Sequence, residues 1–259
     1  MLKQKDREVS FALEKGRYAA RLAEADKDIE AAQRLRHLVF IETAGVAPRQ
    51  DGRDADRFDS DCSHVLIKET RSGRLVCCFR LLMLRGGTEI SRSYSAQYYG
   101  LAALRGFRGR MAEIGRFCIH PAFRDPDILR VAWGALARIV DAQGVAMLFG
   151  CSSFPGTEAG AYPDAFAMLR DRHLAPRRWR PAVKAPDVVR FARDPRAQPD
   201  TRRALQSMPP LLRTYLIMGG RVSDHAVVDR DMNTLHVFTG LEIKAIPPAR
   251  ARLLRAVAG

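Results

Sequence analysis

A chain of 259 residues with 47% hydrophobic content is long enough to bury one large core or two fused ones, and its composition is that of an ordinary globular protein. Its formal net charge of +14 sets it apart from acidic proteins, and its most apolar stretch, residues 75–84, is interrupted by Arg80 and is too short to span a bilayer. The first residues lack the apolar core of a signal peptide, so the sequence predicts a cytoplasmic protein.

The five cysteines favour buried thiols over a disulfide framework, because their number is odd and their spacing is irregular. Cys62 and His64 are a pair of candidate metal ligands, but the sequence has no second pair at structural-zinc spacing. We therefore expect neither a metal ion nor a cofactor of the protein's own.

The first third of the chain predicts a helix followed by a hairpin. A polar loop over residues 41–60 separates the two and ends in an acidic cluster that includes Asp59 and Asp61. Asp26 is expected to cap the helix. In order, the expected elements are a tail or helix over residues 1–16, a strand over 17–22, the helix over 26–40, and hairpin strands over 63–69 and 74–84.

The central stretch, residues 111–119, reads as a strand that carries a carboxylate and a guanidinium. In an unbroken strand Glu113 and Arg116 point to opposite sides, because side chains alternate. Gly115 lies between them, at a common position for a β-bulge, which brings both groups to one face. The pattern predicts a cleft with an acid and a base at its edge; it is equally compatible with an ordinary strand–helix unit that has a structural ion pair.

A helix is predicted directly after this strand. Asp125 is its expected N-cap, Pro126 its first residue and Gly144 its stop. The remaining chain predicts a buried strand over residues 145–150, a binding loop over 151–158, a helix over 161–173 and two last strands over 221–228 and 234–243.

Positive charge is concentrated in residues 172–203, which contain ten Lys or Arg and three Asp. Such a segment attracts an acidic protein, nucleic acid or anionic lipid, or is simply a solvated surface. The chain has no zinc finger, helix-turn-helix or aromatic stacking strand, which disfavours nucleic acid. The basic side chains that we single out are Arg177, Arg178, Arg180 and Lys184.

The order of elements resembles the GCN5-related N-acetyltransferase (GNAT) fold, an α/β (α+β) fold in which a mixed twisted sheet has helices on both faces. Seven motifs are spread along the chain: LRHLVF (35–40), DRFDSDCSHVLI (56–67), VCCFRLL (76–82), EIGRFCIHPAFR (113–124), MLFGCSSFPGTE (147–158), MPPLLRTYLIMGG (208–220) and VVDRDMNTLHV (227–237). Together they are similar to the bacterial ornithine-lipid N-acyltransferases.

The resemblance implies one acyltransferase domain over residues 17–259 that moves a 3-hydroxyacyl group from acyl carrier protein to the α-amine of ornithine. No nucleophile elbow is present, so we expect direct attack on the thioester. A fainter similarity to acyl-homoserine-lactone synthases rests on Arg36, Asp59, Arg80, Glu113 and Arg116. The lipid product would allow a peripheral contact with an anionic membrane.

Site residues follow from the resemblance together with the chemistry that the reaction needs. Glu113 is the expected base and Arg116 its partner, because an ammonium has no lone pair to attack a thioester. We expect the acceptor to be bound by Arg36, Asp59, Asp61 and Arg80, the donor by Phe117, Cys118, Ile119, Ser152 and Ser153, and the carrier protein by the four basic side chains above.

Two stretches depart from the relatives that the chain resembles. Residues 124–127 have no glycine and two carboxylates, where acetyltransferases bind a diphosphate, and this favours a carrier-protein thioester over coenzyme A. Residues 213–217 read Arg-Thr-Tyr-Leu-Ile rather than Lys-Gly-Tyr-Leu-Arg, which leaves glutamine open as the acceptor. The sequence is also compatible with a lactone synthase, and with a basic binding module that has no catalytic activity.

Overall fold

A computed structural model describes residues 11–47, 50–193 and 198–258. The helices are α1 (Asp26–His37), α2 (Pro126–Gln143), α3 (Pro163–Arg172), α4 (Thr201–Ser207), α5 (Pro210–Ile217) and α6 (Pro248–Ala258). The strands are β1 (Ala12–Lys15), β2 (Tyr18–Leu22), β3 (Ser63–Glu69), β4 (Leu75–Leu84), β5 (Tyr99–Gly100), β6 (Arg110–Ile119), β7 (Val145–Pro155), β8 (Ala182–Val183), β9 (Val188–Val189), β10 (Arg221–Val222), β11 (Ala226–Asp229) and β12 (Thr234–Glu242).

One mixed sheet runs through most of the chain in the order β1-β2-β3-β4-β6-β7-β12-β11-β9, and β10 adds to β12. The pair β6–β7 is parallel, as a strand–helix–strand connection through α2 requires, and the other pairs of this sheet are antiparallel. The predicted α/β (α+β) sheet and its hairpin β3–β4 are confirmed.

Helices cover both faces of the sheet. Along β3, Val65 and Ile67 pack with the buried face of α2, whereas Leu66 between them packs with Ala32 and Leu35 of α1. This follows from the alternation of side chains along a strand. A further core joins β7 and β12 to α3, α4 and α5. In the part of the chain that is described, no helix is long and apolar enough to cross a membrane.

The predicted limits of α2 are confirmed in detail. The Asp125 carboxylate accepts a hydrogen bond from the Asp127 backbone N–H, Pro126 begins the helix, and Gly144 ends it in the left-handed conformation. The expected cap of α1 is wrong, because Ala25 occupies the cap position without a side-chain hydrogen bond. Asp26 lies one position later, in the first turn.

Two predicted segments differ from the structure because each pairs with another strand, one adjacent in sequence and one distant. Residues 12–15, expected in a tail or helix, form β1 beside β2, and residues 1–10 lie outside the described residues. Residues 151–155, expected in a loop, extend β7, because β12 supplies hydrogen-bond partners as far as Pro155.

A bulge in β6 creates the opening on which the site depends. On β4, Cys78 and Arg80 are two residues apart, but their partners on β6, Cys118 and Gly115, are three apart. The bulge predicted near Gly115 is therefore confirmed, although Arg116 rather than the glycine takes the left-handed backbone, with φ of 53°. Pairing between β6 and β7 ends at Ile114 and Gly150, and beyond them the strands splay apart.

Gly150 is the tightest point of this splay. A Cβ atom there would lie 2.3 Å from the Ile114 carbonyl oxygen, so Gly150→Ala must move one backbone relative to the other. We expect a loss of about 1–3 kcal/mol or more in the free energy of unfolding, measured by urea denaturation. The control is Gly160→Ala, whose added methyl meets nothing within 4 Å. Equal stability of both variants would contradict the tight packing at the splay.

Candidate active site

The splay opens into a cavity of about 550 Å³. Its walls come from β6 and β7 beyond the last paired residues, from β12, from the π-helical turn Leu38–Glu42 after α1, and from the start of α5. Its apolar lining, which we call the apolar wall, includes Val39, Phe40, Phe117, Leu211 and Leu212. The cavity therefore combines space for a hydrocarbon chain with the polar groups described below.

A buried network of three arginines and three aspartates lies behind one side of the cavity; we call it the arginine–aspartate network, and it consists of Arg36, Arg80, Arg116, Asp54, Asp56 and Asp59. Arg36 contacts Asp54 at 2.9 Å and Asp59 at 2.7 Å. Arg80 contacts Asp56 at 2.6 Å and Asp59 at 2.5 Å. Burial opposes ionisation, but the hydrogen bonds and charge of Arg36, with Arg80, hold the pKa of Asp59 well below its usual range.

Arg116 belongs to this network and not to an ion pair with Glu113. Its Nε lies 2.8 Å from Asp54 and its Nη2 lies 3.2 Å from Asp56. Its guanidinium also lies over the Tyr94 ring. The predicted partnership of Glu113 with Arg116 is therefore wrong as a contact, although both side chains line the cavity. Loop residue Asp54, which sequence reasoning did not single out, takes the role of the partner.

Glu113 is held by three hydrogen bonds from one loop. Its carboxylate accepts from the backbone N–H groups of Tyr94 and Ser95, both at 2.7 Å, and from the Ser95 hydroxyl at 2.6 Å. Burial raises the pKa of Glu113, and these donors oppose the shift only partly. The site thus contains a carboxylate that is 4% exposed, at the cavity wall, with a proton affinity above that of an ordinary glutamate.

The expected donor-binding residues divide into two groups. Phe117, Ser152 and Ser153 line the cavity, and the Ser152 hydroxyl accepts a hydrogen bond from Thr239 at 3.0 Å. Cys118 and Ile119 are not among the described residues of its wall. Past the bulge Cys118 faces the core under α1, where its sulfur lies 3.5 Å from that of Cys78.

The expected acceptor-binding residues also divide. Arg80 lines the cavity, whereas Arg36 and Asp59 are buried behind it within the arginine–aspartate network. Asp61 is exposed and is not among the described residues of the wall. Of residues 213–217, whose sequence departs from the relatives, Tyr215 lines the cavity and is 3% exposed.

Of the four basic residues expected to bind the carrier protein, three form contacts within the chain. Arg178 pairs with Glu242, and the Arg180 Nε donates to the Ala175 carbonyl at 2.8 Å. The Lys184 ammonium donates to the Ala96 carbonyl, next to the loop that binds Glu113. Arg177 is exposed.

Asp229 and His236 are among the cavity residues that sequence reasoning missed. The Tyr99 hydroxyl donates to the His236 carbonyl at 2.7 Å, so the His236 Nδ1–H at 3.1 Å donates to Tyr99 in turn. Nε2 is then a bare acceptor, buried and without a partner among the described residues. Burial lowers the pKa of His236 to about 4, so its ring is neutral at physiological pH. The sequence signal that could have identified Asp229 and His236 is a polar residue in each of two apolar strands, β11 and β12.

The arginine–aspartate network supports the site through buried charge. Arg36 is 1% exposed, and Arg36→Met would leave Asp54 and Asp59 short of a countercharge. We expect a loss of about 3–5 kcal/mol in the free energy of unfolding. The matched control on the same helix is Arg34→Met, which breaks an exposed pair with Glu30 and should cost less than about 1 kcal/mol in urea denaturation. Similar losses in both variants would contradict this assignment.

Comparison with known proteins agrees with the geometry. Residues 35–134 match the acetyltransferase (GNAT) domain family. An L-ornithine Nα-acyltransferase of Rhodobacter capsulatus is 37% identical over 238 residues, which cover 88% of this chain and 91% of that protein. One from Brucella abortus is 32% identical and covers 89% of this chain and 86% of that protein.

Among solved structures, a coenzyme A-dependent acyl-homoserine lactone synthase matches with 18% identity and a TM-score of 0.49, over 90% of this chain and 83% of that chain. The family resemblance and the GNAT fold predicted from the motifs are confirmed by the family match and by the two acyltransferases. The chain therefore belongs to the L-ornithine Nα-acyltransferase family and is an acyltransferase.

Proposed function

We propose that this acyltransferase moves a 3-hydroxyacyl group from the thioester of acyl carrier protein to the α-amine of ornithine, giving a lyso-ornithine lipid. The observation that carries the proposal is the cavity at the splay, where an apolar wall lies beside Glu113 and Arg116. An aminolipid has the same division into a hydrocarbon chain and a charged head. The two relatives above are both named for the acylation of ornithine.

The donor's pantetheine arm enters between the splayed strands. Beyond Ile114 and Gly150 the facing edges of β6 and β7 no longer pair with each other, which leaves backbone groups open to the amides of the arm. The same backbone N–H groups, with the Ser152 hydroxyl, are suited to stabilise the tetrahedral oxyanion. The acyl chain lies along the apolar wall, against Phe40 and Phe117.

The acceptor's carboxylate binds on the side of the cavity lined by Arg80 and Arg116. A guanidinium presents five N–H donors, so an arginine held by aspartates still has donors for a ligand. Arg116 is the more open of the two, with a side chain 13% exposed against 3% for Arg80. Arg36 and Asp59 then act as positioning residues, since they hold these arginines from behind.

A carrier-protein donor fits the N-terminus of α2 better than coenzyme A does. The Asp125 carboxylate already occupies the first turn, where it accepts from the Asp127 N–H at 2.9 Å and from the Tyr18 hydroxyl at 2.9 Å. A diphosphate would meet this negative charge instead of open N–H groups. The basic segment, with Arg177 and Lys184, provides a complementary surface for an acidic carrier. Its contact with an anionic membrane stays a prediction, which sedimentation with anionic vesicles tests.

Glu113 and His236 are both able to take the proton of the α-amine, and we propose that Glu113 does so. Its carboxylate must be ionised to act as a base, so kcat/KM should fall as the pH drops through its raised pKa. The acidic limb of the kcat/KM profile should therefore lie at a higher pH than the pKa of an ordinary glutamate. A limb near pH 4 would instead indicate that His236 is the base.

Glu113→Gln should lower kcat at least about 100-fold with folding retained. Ser95→Ala removes one hydrogen bond from the ionised carboxylate, so its acidic limb should move to higher pH. Steady-state rates from pH 4 to pH 9 provide both tests. A Glu113→Gln enzyme with the wild-type rate and limb would contradict the role as base.

Release of the carrier-protein thiol tests the proposed reaction itself. Purified enzyme is given 3-hydroxyacyl carrier protein and either ornithine, glutamine or S-adenosylmethionine. We expect thiol release with ornithine and an N-acylated product by mass spectrometry. Release with glutamine alone would move the acceptor, a free lactone would indicate a lactone synthase, and no release with any amine would contradict the transferase.

A further inference from the structure

We propose that Asp229 binds the side-chain ammonium of the acceptor and thereby selects a diamino acid over glutamine. This inference rests on the proposed function and names the residue that decides its acceptor.

Asp229 lies at the end of β11, directly across from Thr234 of β12. Both line the cavity, together with His236, two residues further along the same face of β12. The Asp229 side chain is buried, with 7% of the residue exposed. One carboxylate oxygen accepts a hydrogen bond from the Met232 backbone N–H at 3.0 Å, which fixes the side chain within its turn. The position is therefore both rigid and part of the cavity wall.

Asp229 differs from the other buried carboxylates of this region in its charge balance. The three aspartates of the arginine–aspartate network are each paired with arginine, and Glu113 is satisfied by three donors. Within the described residues Asp229 forms no ion pair, and the hydrogen bonds that it accepts come from backbone N–H groups of its own turn. A buried carboxylate without a countercharge is costly, so the site is complementary to a ligand cation.

The electrostatic surroundings of Asp229 agree with a need for positive charge. Burial raises the pKa of Asp229, and the neighbouring Asp231 raises it further, whereas Arg116 opposes the shift. Arg116 is thus close enough to Asp229 to act on its charge. A bound ammonium would favour the ionised form of the carboxylate.

The charged groups of the cavity then match the charged groups of ornithine in the order in which they occur along the ligand. Its carboxylate would contact Arg116 and its side-chain ammonium Asp229, which leaves the α-amine between them for the thioester. Glutamine offers a neutral amide at the far end, which donates hydrogen bonds but supplies no countercharge to Asp229. The sequence analysis included Asp59 and Asp61 among the acceptor-binding residues, but Asp59 is neutralised by two arginines and Asp61 is exposed.

The test compares ornithine with norvaline, which has the same carbon chain without the terminal amine, and with glutamine. In the wild type we expect kcat/KM for ornithine to exceed that for norvaline at least about 30-fold. Asp229→Asn should raise KM for ornithine at least about 30-fold with little change in kcat, and should remove the preference over norvaline. The matched control is Asp187→Asn, which removes an exposed carboxylate beside β11 that is not among the described residues of the cavity wall, and it should leave KM unchanged.

Asp229→Glu provides a second variant if the asparagine variant is unstable in a thermal melt. It keeps the charge one methylene further out, so it should favour 2,4-diaminobutyrate over ornithine. Two results would overturn the assignment to Asp229 and leave the proposed function intact. One is an ornithine KM within about threefold of wild type in Asp229→Asn, and the other is equal use of ornithine and norvaline by the wild type. Failure of the wild type to acylate any amino acid would instead overturn the proposed function and this inference with it.

Discussion

The arginine–aspartate network joins three parts of the chain that are far apart in sequence, and the cavity depends on it. Arg36 comes from α1, Arg80 from β4 and Arg116 from the bulge of β6, and loop 54–59 supplies the aspartates between them. Removal of one partner leaves the others as uncompensated buried charges. The network thus fixes the left-handed residue Arg116, and with it the point at which β6 leaves β7.

The carboxylates of this region lie in three different environments. The aspartates of the network are neutralised by arginines and hold the wall, whereas Glu113 is hydrogen-bonded but carries no direct ion pair among the described residues. In the same described part of the chain, Asp229 has neither a paired cation nor a full set of donors. In the proposed function, the environment of each group, rather than its residue type, separates support, proton transfer and acceptor recognition.

The local features of α2 were predictable, whereas the pairing of β7, β11 and β12 was not. The limits of α2 follow from Asp125, Pro126 and Gly144, because caps depend on adjacent residues. The loop predicted for residues 151–155 was wrong, because their strand partner lies some eighty residues later, in β12. Asp229 and His236 were missed for the same reason: only the pairing of β11 with β12 and β7 brings them to the cavity.

The central claim is that acyl transfer takes place in the cavity at the splay. A crystal structure of the protein with N-(3-hydroxyacyl)ornithine tests it most directly. We expect the acyl chain along the apolar wall, the amide near Glu113 and the terminal ammonium at Asp229. A product bound elsewhere on the protein, with the space between β6 and β7 empty, would contradict the account.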